Sequence, residues 1–360
     1  MLIKKMLRCL LTASAALAVC FAVALHAGTA DSVSSAQRPS SFHFTVTSDL
    51  HNVTDIYDRV LDAMQIHSKG QGAFQISVGD LADKDGQTPQ CLRDLIDSHW
   101  GSASVWWPVV GNHDSHAPSS MTWIRAEYET GNRVRRPLKN LVTRAGPTGS
   151  AATTYSWDYR NVHFIVLNEY WNGETVPGSD VAIDGDVVPA LREWLEDDLT
   201  ANQQPFIFVF GHAPAFPEYR HIGNSLDINP ANRDAFWQVL QKYHVQAFIS
   251  GHIHFYYKQP RDGVYQIVDG CAGRSNDQQT YLDVVVGQEQ AQIRVWQNNA
   301  RGGSDWRLVD TIMLAATARP GTHSVAVGYG PIFAPRVNTG CDPTNCIIAA
   351  PATKLNPEIW

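Results

Sequence analysis

The chain alternates short, almost wholly apolar runs with stretches in which apolar residues recur at helical spacing. Helical spacing runs from Ile56 to Ile66, and residues 91–96 indicate a second helix. The apolar runs predict strands at 42–47, 74–78 and 105–110. Because strands that alternate with helices usually form sheets covered by helices, this half of the chain is typical of an α/β domain.

The second half repeats this alternation and then consists mainly of strands. A hairpin is predicted around Arg160-Asn161, and helices are predicted at 188–199 and 233–243. Further strands are predicted at 206–210, 246–249, 265–268, 281–286, 290–297 and 306–314. We therefore expect an α/β fold in which two mixed sheets pack face to face with helices outside, over a domain at 41–315.

The two ends of the chain differ from this domain. Residues 1–30 begin with Lys4, Lys5 and Arg8, continue with an apolar run, and end in small residues, which is typical of a secretory signal peptide. A membrane anchor is the alternative, but the run is shorter than the roughly 20 residues that a spanning helix needs. We expect cleavage near Ala27 or Ala30, export to the periplasm or the exterior, and no stable membrane insertion afterwards. Residues 316–360 are predicted to be an irregular tail packed on the domain.

The composition is that of a globular protein, with 44% hydrophobic and 18% charged residues among 360. Residues 1–30 contain three basic and no acidic residues, so their removal would change the net charge from −7 to −10. A negative surface repels polyanions, and we therefore expect no nucleic acid polymer among the partners.

Four of the six cysteines lie outside the predicted signal peptide. An even number of cysteines in an exported protein favours disulfides. Cys341 and Cys346 close a short loop and are expected to pair, and Cys91 with Cys271 follows by elimination. The alternative for the second pair is two buried free thiols.

Five blocks of polar residues follow predicted strands directly. In α/β sheets the carboxyl ends of parallel strands face one crevice, so these blocks are expected to meet there. Asn168 to Trp171 also follow a strand and could line the same pocket. The five blocks are Asp49-Leu50-His51, Gly79-Asp80-Leu81-Ala82-Asp83, Gly111-Asn112-His113-Asp114, Gly211-His212 and Gly251-His252-Ile253-His254.

Most side chains in these blocks are of the types that bind transition metals. Two aspartates, one asparagine and four histidines are too many ligands for one ion, but they suit two ions that share a carboxylate. The donor types fit divalent or trivalent Fe, Mn, Zn, Ni or Co and do not distinguish among them. The predicted ligands are Asp49, His51, Asp80, Asn112, His212, His252 and His254.

Together, the five blocks resemble the motifs of the calcineurin-like metallophosphoesterase superfamily, over roughly residues 42 to 270. The resemblance implies a four-layer α/β/β/α metallophosphoesterase-like sandwich. It also implies a division of the ligands: Asp80 bridges the two ions, while the first ion is held by Asp49, His51 and His254 and the second by Asn112, His212 and His252.

The resemblance also implies roles for residues that do not bind metal. His113 would lie beside the substrate together with Asn112 and protonate the leaving oxygen, and the Asp83 carboxylate would orient His113. A hydroxide that bridges the two metals would attack phosphorus, as two-metal chemistry requires. The expected activity is that of a metal-dependent phosphoric ester hydrolase of the EC 3.1 class.

Two positions indicate the branch of the superfamily. Purple acid phosphatases carry Tyr at the position of Asp83 and lack a His at the position of His51, so this chain is predicted to fall outside that branch. The leading hypothesis is a phosphomonoesterase that acts on a small phosphorylated substrate. The alternatives are a phosphodiesterase that acts on a nucleotide or a glycerophosphodiester, which His51 keeps open, and a non-catalytic scaffold with the same fold.

Overall fold

Two β-sheets form the centre of the computed structural model, which describes residues 41–129, 141–176, 184–274, 277–298 and 304–318. The described residues up to Thr317 form one compact unit. The strands are β1 (Phe42–Thr47), β2 (Gln75–Val78), β3 (Trp106–Val109), β4 (Arg144–Ala145), β5 (Tyr155–Tyr159), β6 (Val162–Val166), β7 (Phe206–Phe210), β8 (Ala247–Ser250), β9 (Tyr257–Arg261), β10 (Val264–Val268), β11 (Thr280–Val286), β12 (Gln290–Asn298) and β13 (Trp306–Ala315). The helices are α1 (Thr54–Ser68), α2 (Gln90–Trp100), α3 (Asn112–Ser115), α4 (Pro118–Glu129), α5 (Pro189–Ala201) and α6 (Pro230–Lys242).

Both sheets combine parallel and antiparallel pairs. The first has the order β13-β12-β11-β1-β2-β3, and β1, β2 and β3 are parallel. The second has the order β4-β5-β6-β7-β8-β10-β9, and β6, β7, β8 and β10 are parallel. Each sheet therefore has a group of parallel strands whose carboxyl ends lie at one edge.

Aromatic side chains fill the space between the sheets. The Trp107 ring of the first sheet stacks on the Trp157 ring of the second, with centroids 3.9 Å apart. Phe44 meets Phe164 edge to face at 5.1 Å. Side chains alternate along a strand, so Trp106 points away from this core and packs with the outer helices. The inner faces of the two sheets thus form one continuous core.

Helices cover the outer face of each sheet. The apolar faces of α1, α2 and α4 pack on the first sheet through residues such as Leu61, Leu92 and Ile124. The second sheet packs against α5 and α6 through Leu195 and Phe236. The predicted four-layer α/β/β/α architecture is confirmed.

Four of these helices and strands were missed by the sequence patterns. β4 has only two residues and α3 only four, while α4 lacks a strong apolar stripe. β9 is an edge strand that contains Pro260, and a proline inside a short polar segment argues against a strand in sequence-based prediction.

Cys91 and Cys271 are both free thiols, so the predicted disulfide between them is wrong. Each sulfur contacts a different oxygen: Cys91 Sγ lies 3.2 Å from Asn52 Oδ1, and Cys271 Sγ lies 3.4 Å from the Asp49 carbonyl oxygen. Cys91 is exposed, whereas Cys271 is buried and its burial raises the pKa of the thiol well above the usual value. The alternative of two free thiols is correct, although only one of them is buried.

Several predictions concern residues outside the described part of the chain. They are the signal peptide at 1–30, the Cys341–Cys346 disulfide and nearly all of the 316–360 tail, and they stay predictions. Among the described residues, every helix is too short or too polar to cross a membrane.

A buried ion cluster ties the second sheet to its helix layer. His163 on β6 contacts Asp158 Oδ1 through Nδ1 at 2.6 Å and Asp198 Oδ2 through Nε2 at 2.9 Å. Burial opposes the charged imidazole, but the two aspartates prevail and raise the pKa of His163 to about 9. Since the folded-state pKa lies above the unfolded value, the cluster stabilises the fold fully below about pH 6.5 and loses this effect as the pH rises through 9.

We therefore expect His163→Gln to lower the free energy of unfolding by about 2–3 kcal/mol at pH 6, because the buried carboxylate of Asp198 loses its nearer cation and keeps only Arg144, at 3.9 Å. The difference from the wild type should shrink by pH 9.5. Urea unfolding at both pH values measures it, with His99→Gln, which breaks the more exposed pair with Asp58, as the control. An equal loss at pH 6 and pH 9.5 would contradict the assignment.

Candidate metal centre

All seven predicted metal ligands lie at the carboxyl ends of parallel strands. Asp49 and His51 follow β1, Asp80 follows β2 and Asn112 follows β3, while His212 follows β7, and His252 and His254 follow β8. Six of the seven side chains are buried and Asn112 is partly buried. The two sheets therefore contribute to one cluster at their common edge.

Backbone hydrogen bonds connect the loops that carry these ligands. The Asp49 N–H donates to the Gly79 carbonyl oxygen at 3.1 Å, and the His51 N–H donates to the Asp80 carbonyl oxygen at 2.8 Å. The second sheet is joined to the first by the His252 N–H, which donates to the Asp49 carboxylate at 3.1 Å. These bonds fix the ligands relative to one another.

The backbone at the cluster adopts a conformation that non-glycine residues rarely use. Left-handed φ values between 49° and 71° occur at five of the seven ligands, and such a conformation costs about 1–3 kcal/mol per residue. Strain of this kind is kept where the surrounding structure and a function require it. The five residues are Asp49, His51, Asp80, His252 and His254.

Glycines allow the close approach of these loops. A Cβ added to Gly79 would collide with the His212 ring, and one added to Gly111 would collide with the backbone nitrogen and carboxylate of Asp80. Gly79 also has a φ of 90°, which glycine adopts without strain. The residues directly before Asp80 and Asn112 must therefore be glycine for these loops to approach each other.

Asp80 lies between the two halves of the cluster. Its Oδ1 is 3.3 Å from His212 Nε2, while its Oδ2 is 4.0 Å from His51 Nε2. The Oδ1 atom also accepts the backbone N–H of His113 at 3.0 Å. The two oxygens of one buried carboxylate thus face different groups of imidazoles.

The remaining ligands fall into two groups on either side of Asp80. In the first, His254 Nε2 lies 3.3 Å from Asp49 Oδ1, and the rings of His51 and His254 are 5.3 Å apart. One donor atom from each of Asp49, His51, Asp80 and His254 lies within 4.8 Å of the others. The structure thus brings the first predicted ligand set together.

The second group consists of Asn112, His212 and His252. His212 Nε2 is 3.2 Å from Asn112 Oδ1, and the rings of His212 and His252 lie 5.1 Å apart. The His221 ring, 4.2 Å from that of His252, covers this side.

Three histidines are held by hydrogen bonds on the side that faces away from the cluster. His212 Nδ1 donates to the Val78 carbonyl oxygen at 2.7 Å, and His252 Nε2 donates to the Asn224 carbonyl oxygen at 2.8 Å. His254 Nδ1 contacts Asp277 Oδ2 at 3.0 Å. A carbonyl or carboxylate oxygen accepts only, so each opposite nitrogen keeps its lone pair for the cluster when the imidazole is neutral.

His51 lacks such a hydrogen bond, although its Nδ1 lies 3.3 Å from Asp83 Oδ1. Both of its ring nitrogens are buried, and neither makes a hydrogen bond within the described part of the chain. A buried polar atom without a hydrogen bond is costly, whereas a metal ion would satisfy it. The buried His51 ring, which makes no hydrogen bond and lies among carboxylates, therefore supports the view that this donor set fits metal ions.

Charge in the cluster is balanced between carboxylates and imidazoles. Burial alone would raise the pKa of Asp49, but the His254 imidazole lowers it to about 2. Burial would lower the pKa of His212, but Asp80 raises it to about 10. At His51 and His252 burial prevails and lowers the pKa to about 4 and about 3. Burial also opposes the charged form of His254, but Asp49 and Asp277 raise its pKa to about 9. The imidazolium groups of His212 and His254 therefore balance the charge of two carboxylates, at positions where metal cations could replace the protons.

His113 and Asp83 lie at the mouth of the cluster. The His113 ring, 34% exposed, has its Nε2 3.9 Å from Asp80 Oδ2. Its Nδ1 donates to the backbone carbonyl oxygen of Asp83 at 2.9 Å, while the Asp83 carboxylate is farther away, at 3.7 Å. That carboxylate lies nearer to His51 Nδ1, at 3.3 Å. Asp83 thus contacts the His113 ring through its backbone and, at a longer distance, through its carboxylate, and the prediction that this carboxylate orients His113 stays a prediction.

Two buried carboxylates accept hydrogen bonds from the backbone of the loops that carry the ligands. Asp114 accepts the backbone N–H groups of Leu81, Ala82 and Gly111 at 3.0 Å and so ties the second block to the third. Glu169 accepts the backbone N–H of His212 at 2.9 Å instead of lining the pocket, and burial raises its pKa to about 8. Both residues stabilise the ligand loops rather than contact a ligand position.

Asp277 and Asn224, which hold His254 and His252 on the side away from the cluster, do not stand out in the sequence. Asn224 acts through its backbone carbonyl, which no residue type specifies. Asp277 lies shortly before β11 and not directly after a strand, so the rule that polar residues after a strand reach the crevice does not identify it.

The model of the calcineurin-like phosphoesterases matches residues 42–256, which is more than half of the chain. The chain belongs to the calcineurin-like phosphoesterase family. This family assignment agrees with the ligand blocks, which all lie within the matched region.

Known proteins similar to this member of the family include an acid phosphatase of Aspergillus ficuum, 28% identical over 269 residues. The alignment covers 56% of this chain and 43% of that phosphatase, so the chain matches less than half of the relative's length.

Two solved structures share the fold. A purple acid phosphatase from yellow lupin (Lupinus luteus) seeds gives a TM-score of 0.53 at 14% identity, over 77% of this chain and 54% of the lupin chain. GAP50, the anchor in the inner membrane complex of Plasmodium, gives a TM-score of 0.53 at 12% identity, over 78% of this chain and 90% of the GAP50 chain. At these identities the likeness concerns the fold alone.

We expect Gly79→Ala to reduce metal binding by more than tenfold, because the added Cβ displaces the His212 ring. Gly86→Ala is the matched control, since Gly86 has a similar φ of 82° but open space around it. Backbone strain should lower the free energy of unfolding of both variants by about 1 kcal/mol. Only Gly79→Ala should lose metal. Metal content after dialysis measures the effect, and equal metal content in the two variants would contradict it.

Proposed function

We propose that the protein is a dinuclear-metal hydrolase of phosphate esters that acts on phosphomonoesters. The observation that carries this proposal is the buried cluster of Asp49, Asp80 and four histidines, in which outer hydrogen bonds direct three imidazoles inward and His51 has none. Such a donor set is typical of transition-metal sites, and membership of the phosphoesterase family supports the reaction class.

The residues divide between two ions as the resemblance implied. Asp49, His51 and His254 would hold the first, Asn112, His212 and His252 the second, and Asp80 both, since its two oxygens face the two groups. When bound, the ions would neutralise charge on the phosphate and acidify a water molecule. Asp83 cannot supply a phenolate, so we propose a colourless site outside the purple branch.

His113 is proposed to transfer a proton to the leaving group. Its Nδ1 proton is held by the Asp83 carbonyl oxygen, so only Nε2 is free to give a proton, and it does so from the imidazolium form. Nε2 lies 3.9 Å from the shared carboxylate, and a third of the side chain is exposed. The ring is therefore both accessible to a bound ester and close to the centre.

Positive charge near the first ligand group favours a monoester substrate. Burial lowers the pKa of His51 to about 4, and the charge of Arg274 acts in the same direction. At His254, burial and the charge of Arg220 act to lower the pKa, but Asp49 and Asp277 prevail and raise it to about 9. Arg274 is also 3.6 Å from the Asp83 carboxylate. A monoester can carry two negative charges near its phosphorus and a diester only one, so two arginines favour the monoester.

Two other functions remain alternatives. A phosphodiesterase that cleaves a nucleotide or a glycerophosphodiester is favoured by His51, which lies inside the ligand cluster. A scaffold role is possible for this fold in principle, since one protein of similar structure is described as an anchor. The intact donor set argues against a scaffold here. We further propose that the enzyme acts outside the cytoplasm, as the signal-peptide pattern suggests.

A pair of aryl substrates tests the activity directly. With Mn²⁺, Zn²⁺ or Fe²⁺ supplied, we expect p-nitrophenyl phosphate to be hydrolysed with a kcat/KM at least about tenfold above that of bis-p-nitrophenyl phosphate, a difference of about 1.4 kcal/mol. Faster cleavage of the diester would favour the phosphodiesterase. Metal-loaded protein that cleaves neither ester would favour the scaffold.

Two substitutions separate metal binding from proton transfer. Asp80→Ala should abolish both metal retention and turnover, because it removes the carboxylate that both groups face. His113→Ala should keep both ions and lower kcat by about 10²–10⁴. Metal analysis and steady-state kinetics measure both effects, with His99→Ala on α2 as the control. Loss of metal from His113→Ala would contradict the division of roles.

A further inference from the structure

The described residues at 269–274 and 277–279, which follow β10 in the sequence, pack against the first ligand group. They lie beyond the region matched by the family model, which ends at residue 256. The Ala272 N–H donates to the Ser48 carbonyl oxygen at 2.8 Å, and Cys271 Sγ lies 3.4 Å from the Asp49 carbonyl oxygen. These residues therefore contact the loop that carries Asp49 and His51.

Among these residues, Asp277 makes a direct contact with a predicted ligand. Its Oδ2 is 3.0 Å from His254 Nδ1, and His254 Nε2 is in turn 3.3 Å from Asp49 Oδ1. A carboxylate accepts only, so Nδ1 carries the proton and Nε2 faces Asp49.

Asp277 is itself held in place by a buried glutamine. The Gln279 side-chain amide donates to the carbonyl oxygens of Arg274 and Asp277, at 2.8 and 2.7 Å. Gln279 is 2% exposed, and its Oε1 accepts from Asn298 Nδ2 at 3.2 Å. The position of the carboxylate is thus anchored to β12.

We propose that Asp277 is a positioning residue of the first metal group: it fixes the tautomer and the orientation of His254 so that Nε2 faces Asp49. The inference rests on the proposed metal centre, not on the identity of the ester. Carboxylates that orient metal-binding histidines commonly contribute 10–100-fold to metal affinity. Asp277 acts through His254 and need not touch the substrate.

The test compares Asp277→Ala with Asp277→Asn in the full chain. Mn²⁺ and Zn²⁺ affinities are measured by competition with a chromophoric chelator. We expect Asp277→Ala to lower the affinity for one of the two ions about 10–100-fold and to leave the affinity for the other within about threefold of the wild type. Asp277→Asn keeps an acceptor oxygen and should recover most of the loss. Asp58→Ala, which removes a similar contact to His99 at 2.7 Å, is the matched control and should leave both affinities unchanged.

A second measurement does not need metal. In ¹⁵N-histidine spectra of the metal-free protein, the His254 Nδ1 proton should exchange slowly in the wild type and Asp277→Asn, and rapidly in Asp277→Ala.

The inference would be overturned if Asp277→Ala bound both ions with affinities within about threefold of those of the wild type. Equal weakening in Asp277→Ala and Asp58→Ala would also overturn it. A wild type that binds two ions but cleaves no phosphate ester would overturn the proposed activity and leave the Asp277 result intact.

Discussion

Two carboxylates, Asp49 and Asp80, are almost completely withdrawn from water in one small volume, and the rest of the site is arranged around their charge. Isolated buried anions are costly, so cations must lie next to them. The adjacent imidazoles of His254 and His212 supply that charge through protons, as the raised pKa of His212 indicates. A metal ion can take the place of such a proton, which makes metal affinity dependent on pH.

The fold delivers this arrangement because two groups of parallel strands end at one edge. The first sheet supplies the carboxylates and the second supplies three of the histidines. The interface between the sheets, with Trp107 stacked on Trp157, fixes the distance between these two sources of ligands. The left-handed backbone at Asp49 and Asp80 is tolerated because the same packing determines the conformation of both loops.

The sequence predicted strands and metal ligands correctly where apolar runs and the polar residues after them follow a regular pattern. Apolar runs predicted β1 and β7 with their observed bounds, and polar residues after strands predicted the ligands that the structure brings together. It was less informative where a contact depends on the backbone or on a remote segment. The His113 ring is held by a main-chain carbonyl, and Asp277 reaches His254 from a segment that carries no motif.

Anomalous X-ray diffraction from crystals grown with Mn²⁺ would locate the ions directly. We expect two anomalous peaks that share Asp80, one next to Asp49, His51 and His254 and the other next to Asn112, His212 and His252. A single peak, or peaks away from Asp80, would contradict the dinuclear centre.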